Sequence, residues 1–230
     1  VSKEDAQRKA LEAVDVSDKN SLTVEQTQKT SGRIPAYSFQ IVNDKNEYTV
    51  DISVEGGRLI SIISSRSVNN SKLTLKEASE KAKEYLAAMG YPNMYPTYGE
   101  IKDNIGYISL AYRPEDIIYY PDIIDVQIAL DNGEVTAVGA LSFLVSHHKR
   151  EKQEAELSTE EVKEMVGSRL DKIEKIRLAV IPTEALNEIF TYEVRGTIGG
   201  ETYLIYVNAK NGVEEKILQV IKDKEGTFTI

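Results

Sequence analysis

Three stretches of the chain share one arrangement of apolar and polar positions. Ser2 is followed at four-residue steps by Ala6, Ala10 and Val14; Thr74 by Ala78, Ala82 and Leu86; Ser158 by Val162, Val166 and Leu170. Recurrence at this spacing places the apolar side chains on one face of an α-helix, so each stretch predicts an amphipathic helix that needs a partner surface. Asp5, Glu77 and Glu161 stand three residues after each hydroxyl. That is the capping-box spacing: the hydroxyl accepts from an amide of the first turn and the acid reaches back to the cap amide, with Asp5 a short substitute for the usual Glu. Val1, Leu73 and Leu157 precede the caps and are placed to staple onto Ala6, Ala78 and Val162.

Each helical stretch leads into alternation of period two that stops at a turn glycine. The runs are Val50, Ile52, Val54 then Gly57; Val126, Ile128, Leu130 then Gly133; and Ile205, Val207, Ala209 then Gly212. Such alternation predicts half-buried strands, and glycine supplies the positive φ of a tight hairpin. Cap and glycine are 55, 59 and 54 positions apart in the three copies. Between them lie further extended segments at 22–28 and 36–42, 94–102 and 105–112, and 174–181 and 189–196. The order helix, then strands, therefore occurs three times.

A sheet whose neighbours are joined by hairpins is expected to be antiparallel, with a helix on one face, which gives an α+β fold. Modules of about 70 residues bury only about 60% of their unfolded surface, so three of them are expected to pack on one another. Polar stretches at 67–72 and 146–156 separate the copies, and the second, being highly charged, is expected to be the more flexible.

Composition narrows the function classes. Hydrophobic residues make up 41% of the chain and charged residues 28%, the balance of a soluble globular protein. No apolar run approaches the roughly 18 residues of a membrane span. The chain begins at Val1 rather than a methionine, so an export signal or anchor is allowed upstream and these residues by themselves do not specify a compartment. The absence of cysteine removes disulfides, thiolate nucleophiles and Cys-rich zinc sites. A net charge of −9 disfavours nucleic acid and anionic lipid, and favours a protein or neutral polymer as partner.

No catalytic, cofactor-binding or metal-binding residue is predicted. Ser146 and Lys149 match a Ser-x-x-Lys pattern, but the companion elements of serine acyl enzymes are missing, since Lys29-Thr30-Ser31-Gly32 carries an inserted serine. His147 and His148 are adjacent, point to opposite sides of an extended chain, and read as a solvated pair rather than a chelate. The departure from uniform repetition is tyrosine: Tyr85, Tyr91, Tyr95, Tyr98, Tyr107, Tyr112, Tyr119 and Tyr120 are eight of the thirteen in the chain and all fall in the middle copy. Tyrosine brings rigid apolar area with a polar tip, so Tyr112, Tyr119 and Tyr120 are candidate partner-binding residues; the alternative is ordinary strand packing.

The order of capped helix and antiparallel strands resembles the PepSY family, small extracytoplasmic modules associated with regulating peptidases and wall enzymes. The runs 48–57, 120–122 into 129–133, and 202–209 with 212–215 are similar to the C-terminal PepSY-repeat region of the YpeB family of spore germination proteins. The resemblance implies three modules, at 1–70, 71–148 and 157–230, with 149–156 as linker. It implies a location outside the inner membrane of the spore, anchored by a segment upstream of this chain. The partner it implies is a spore-cortex-lytic enzyme of the SleB type, held inactive or protected until germination. It transfers no catalytic residue and no cofactor. Anchoring to cortex peptidoglycan, with tyrosines stacked on sugar rings, is the alternative.

Overall fold

The computed structural model describes residues 1–185, 187–222 and 226–229. Among the described residues there are four α-helices, α1 Lys3–Ala13, α2 Leu75–Ala88, α3 Leu141–Ser146 and α4 Thr159–Gly167, and one 3-10 turn, Lys19–Ser21. The first eight strands are β1 Thr23–Thr30, β2 Ala36–Val42, β3 Glu47–Ser53, β4 Leu59–Ser64, β5 Met94–Lys102, β6 Ile105–Tyr112, β7 Ile117–Ala129 and β8 Val135–Gly139. The remaining five are β9 Lys172–Pro182, β10 Glu188–Ile198, β11 Glu201–Asn208, β12 Glu214–Lys222 and β13 Gly226–Thr229. The fold is α+β, and among the described residues a capped helix followed by strands occurs three times, with four strands after α1, four after α2 and five after α4. Among the described residues no helix is long and apolar enough to cross a membrane.

The apolar stripes are core. Ala6, Ala10, Val14, Ala78, Ala82, Leu86 and Val162 have no exposed surface, and Leu170 lies just past the end of α4. Alanines on α1 and α2 bring helix backbone close to the sheet, whereas α4 fills the same space with valines. Thr74 and Ser158 form complete capping boxes with Glu77 and Glu161. Ser2 accepts from the Asp5 amide, but the Asp5 side chain takes a hydrogen bond from the Ser2 hydroxyl, 3.0 Å away, so no full box forms there. Asp is one methylene too short to close both halves of the box.

The residues divide into two compact units: unit 1 is Val1–Leu110 with Ile123–Val145, and unit 2 is Ala111–Asp122 with Ser146–Ile230. In unit 1 the strand order is β1-β2-β3-β4-β8-β7-β6-β5. The first two copies do not stack face to face; they share a sheet, because β4 pairs antiparallel with β8 through Ser61 to Gly139 and Ile63 to Ala137. Joining the two edges satisfies backbone groups that each small sheet would otherwise leave open. Three contacts lock the seam. The Tyr85 hydroxyl donates to the Ala13 carbonyl at 2.7 Å, the Val135 amide donates to Asp15 at 2.9 Å, and the Tyr91 hydroxyl donates to the Leu59 carbonyl at 2.5 Å, its ring packed edge-on against Phe143 of the short, unpredicted α3.

Unit 2 holds the order β9-β10-β11-β12, all antiparallel, with β13 beside β12. It departs from the expected all-antiparallel pattern at one place. The first residues of β7 pair parallel with β9, Ile117 to Leu178 and Tyr119 to Val180. β7 runs for 13 residues, far beyond the 126–130 segment that alternation predicts, and its extra length supplies this edge. Glycine is required at Gly133, whose φ is +84° and whose missing Cβ would lie 2.4 Å from the Lys81 side chain. It is required at Gly196 for space, because a Cβ would lie 2.7 Å from the Lys172 carbonyl oxygen.

Candidate functional site

The three candidate tyrosines all lie in unit 2, on the end of β6 and the start of β7. Strand alternation sends Tyr119 and Tyr120 to opposite faces. Tyr119 is 9% exposed and belongs to the core with Val162, Val180 and Val194, and the half-buried Tyr112 packs against that core. Their rings are 6.1 Å apart, and the His147 ring stands edge-on to Tyr112 at 4.8 Å.

Behind these rings is a charged cluster. Asp122, with no exposed surface, accepts two hydrogen bonds from Arg150, at 2.7 and 2.8 Å, and its Oδ2 lies 2.6 Å from His147 Nδ1. Arg150 also forks onto Glu188, at 2.5 and 2.8 Å, and its guanidinium sits 4.6 Å from the centre of the Tyr119 ring. Burial works against the Arg150 charge, but the hydrogen bonds and charges of Glu188 and Asp122 outweigh it and raise its pKa. A planar guanidinium suits this double clamp, since it presents donors in the fork geometry of a carboxylate.

The other face of unit 2's sheet carries a second cluster. Glu193 on β10 is 1% exposed and accepts from Arg177 Nε at 2.7 Å, from the Tyr120 hydroxyl at 2.5 Å and from the Tyr206 hydroxyl at 2.9 Å. Tyr120 and Tyr206 meet edge to face at 6.2 Å. Desolvation, reinforced by the neighbouring carboxylate, raises the pKa of both phenols. Every partner here donates to the Glu193 carboxylate, so its buried oxygens are satisfied.

Two sequence expectations are sharpened. His147 and His148 are both exposed, as a solvated pair should be, but each ring is also held: His147 Nδ1 lies 2.6 Å from Asp122 Oδ2, and His148 Nδ1 lies 2.7 Å from the Ser146 carbonyl. The charged stretch after residue 146 is not free chain, because Arg150 anchors it, with a side chain only 7% exposed, and the Glu156 and Leu157 amides donate to the Ala209 carbonyl. Sequence reasoning passed over Asp122, Arg150, Glu188 and Glu193. One signal was readable: Glu193 sits in the run Phe190-Thr191-Tyr192-Glu193-Val194, where a lone acid among strand residues asks for a partner. Among the described residues no group of three or more His, Asp or Glu could hold a metal ion.

A capped helix followed by antiparallel strands places the chain among PepSY-domain proteins. The family described as "YpeB sporulation, PepSY1 and PepSY2 domains" matches residues 1–153, and the family described as "Peptidase propeptide and YPEB domain" matches residues 156–218. The chain therefore belongs to the YpeB sporulation family. It is 33% identical over 228 residues to sporulation protein YpeB of Oceanobacillus iheyensis, covering 99% of this chain and 50% of that protein. Against YpeB of Halalkalibacterium halodurans the identity is 34% over 219 residues, and against YpeB of Bacillus subtilis 30% over 207, covering 48% and 46% of those proteins and 94% and 89% of this chain. The chain thus spans about half the length of the curated relatives it matches. The solved "Bacillus megaterium YpeB C-terminal domain" superposes with a TM-score of 0.86 at 26% identity, covering 96% of this chain and 99% of that one.

Proposed function

We propose that this chain is a non-enzymatic regulator in spore germination that binds a spore-cortex-lytic enzyme of the SleB type and stabilises or restrains it until germination. The observation that carries the reading is the family match: a YpeB sporulation family over 1–153, then a domain whose description names a peptidase propeptide. A propeptide acts on an enzyme rather than as one. The buried carboxylates fit this reading, since Asp122 and Glu193 are engaged by arginine, histidine and tyrosine donors and so hold the fold. The chain is read as three PepSY modules, at 1–70, 71–148 and 157–230, placed outside the inner membrane of the spore by a segment upstream of these residues. The partner is read as touching the rim of Tyr112, Tyr119 and Tyr120, of which Tyr112 and Tyr120 are half-buried and Tyr119 is mostly core.

The test is made with the full-length protein and the lytic enzyme. The expected result is co-purification together with lower cortex hydrolysis or greater protease resistance of the enzyme. Absence of all three overturns the reading. Tyr112→Ser is expected to reduce capture without loss of fold, whereas Ser at Tyr119 opens the core and reports on stability instead. Sedimentation with purified cortex in the absence of any protein partner separates the peptidoglycan-anchoring alternative.

A further inference from the structure

Unit 1 carries a groove of about 380 Å³ that runs across β4, β8, β7, β6 and β5. Ile63 on β4 stands on one side, and Tyr98 on β5 and Tyr107 on β6 on the other. Between them lies Gly139 of β8, above which there is open space: a Cβ built there meets no atom within 4 Å. Ile63 is 62% exposed, more than any other large apolar side chain among the described residues, although β4 has a strand on either side. Ile63 thus adds an open apolar side chain to a groove that Tyr98 and Tyr107 also line.

We propose that this groove docks an extended protein segment that presents a lysine or arginine beside an apolar residue. Charge selects the occupant. Glu100 and Asp125 line the groove and no Lys, Arg or His does, and Asp125 is held in place by the Ser109 hydroxyl at 2.5 Å. A glycan strand bearing carboxylates or a nucleic acid would meet like charge there, whereas a cationic side chain gains two anions at the lip of an apolar trough. Tyr98 and Tyr107 supply large, stiff contact area at low entropic cost. The volume falls within the range of about 300–1,000 Å³ that suits a small ligand or a few side chains, not a folded domain. The strands of the floor, β8 and β7, each have neighbours on both sides. Their backbones are therefore already paired, and recognition is by side chains rather than by strand addition.

The inference does not depend on which enzyme is the partner of the whole protein. It is tested by titrating isotope-labelled chain with three probes: a blocked hexapeptide alternating lysine and leucine, its glutamate and leucine counterpart, and a hexasaccharide of N-acetylglucosamine. The lysine peptide is expected to shift the amide resonances of Ser109, Asp125 and Gly139. Its affinity is expected to fall about tenfold in the Glu100→Gln, Asp125→Asn double variant, and similarly at high salt. Gly139→Leu, at a position with open space and no left-handed φ, is expected to fill the groove and abolish the shifts. Unchanged binding in both variants, no response of these amides to the lysine peptide, or an equal response to the glutamate peptide or the saccharide would overturn the proposal.

Discussion

In unit 1, Arg66 forks onto Asp131 and also meets Glu134 at 2.9 Å, with the three side chains 15%, 19% and 27% exposed. In unit 2, Arg150 and Arg177 instead reach Asp122 and Glu193, which are 0% and 1% exposed. The two units thus use the same pairing chemistry at different depths. In unit 1 the acids keep some contact with water, which screens the pairs and competes for them, so they contribute less. A buried pair contributes little net, yet it makes each partner indispensable, because removing one leaves an uncompensated charge in a low dielectric. Both units have an apolar core, but in unit 1 the paired acids stay near the surface, whereas unit 2 places Asp122 and Glu193 inside.

The largest effect expected from this contrast is at Arg150. Arg150→Met should destabilise unit 2 by about 3–5 kcal/mol in chemical denaturation, against about 1 kcal/mol for Arg66→Met in unit 1. Equal losses would end the comparison. A smaller contrast lies in two strand glycines. Gly196→Ala forces a methyl to within 2.7 Å of the Lys172 carbonyl and should cost about 1–3 kcal/mol. Gly139→Ala in unit 1 meets nothing and should be neutral or stabilising by up to about 1 kcal/mol, as read from thermal unfolding.

Next in size is the phenol pair on Glu193. Burial raises the pKa of Tyr120 and Tyr206 above the ordinary value, so their contribution is complete below the unfolded pKa of about 10. It is lost as pH rises from there through the folded values. Ultraviolet titration should show these two phenols ionising after exposed tyrosines, and Tyr120→Phe should remove part of the alkaline loss while costing about 1–2 kcal/mol at neutral pH.

The smallest effect concerns the caps, where the units agree. Ala at Thr74 or Ser158 should cost about 1 kcal/mol, and at Ser2, which lacks the returning acid, less. Hydrogen bonds from the cap lower the pKa of Glu77 and Glu161. Their contribution is therefore present above the unfolded carboxyl value of about 4.3 and is lost as pH falls below it through the folded pKa. Circular dichroism at acid pH should show this dependence in the parent and a weaker one in Thr74→Ala.

Much of the architecture was readable along the chain. β2, β5 and β6 occupy the extended segments expected at 36–42, 94–102 and 105–112, and the turn glycines of the three predicted hairpins all take positive φ. The short α3 was not readable, because six residues hold too little periodicity to register. The first half of β7 was hidden because Tyr119 and Tyr120 read as a candidate partner surface and Pro121 interrupts the run. The site itself was legible only as a cluster of tyrosines. Its charged members are far apart along the chain, Asp122 and Arg150 by 28 positions and Tyr120 and Glu193 by 73, and no local pattern reports a pairing at that range.

The chain by itself determined its three capped helices, most of its strands, its hairpin turns and their threefold order, because each depends on side chains within a few residues of one another. Its family, too, was legible in short runs such as 48–57 and 202–209. Tertiary structure alone decided that β4 and β8 join two copies in one sheet, that β7 opens parallel to β9, and which acids are buried. Those outcomes follow from which strand edges meet and how deeply each carboxylate is then desolvated, and both are properties of the assembled fold rather than of any segment.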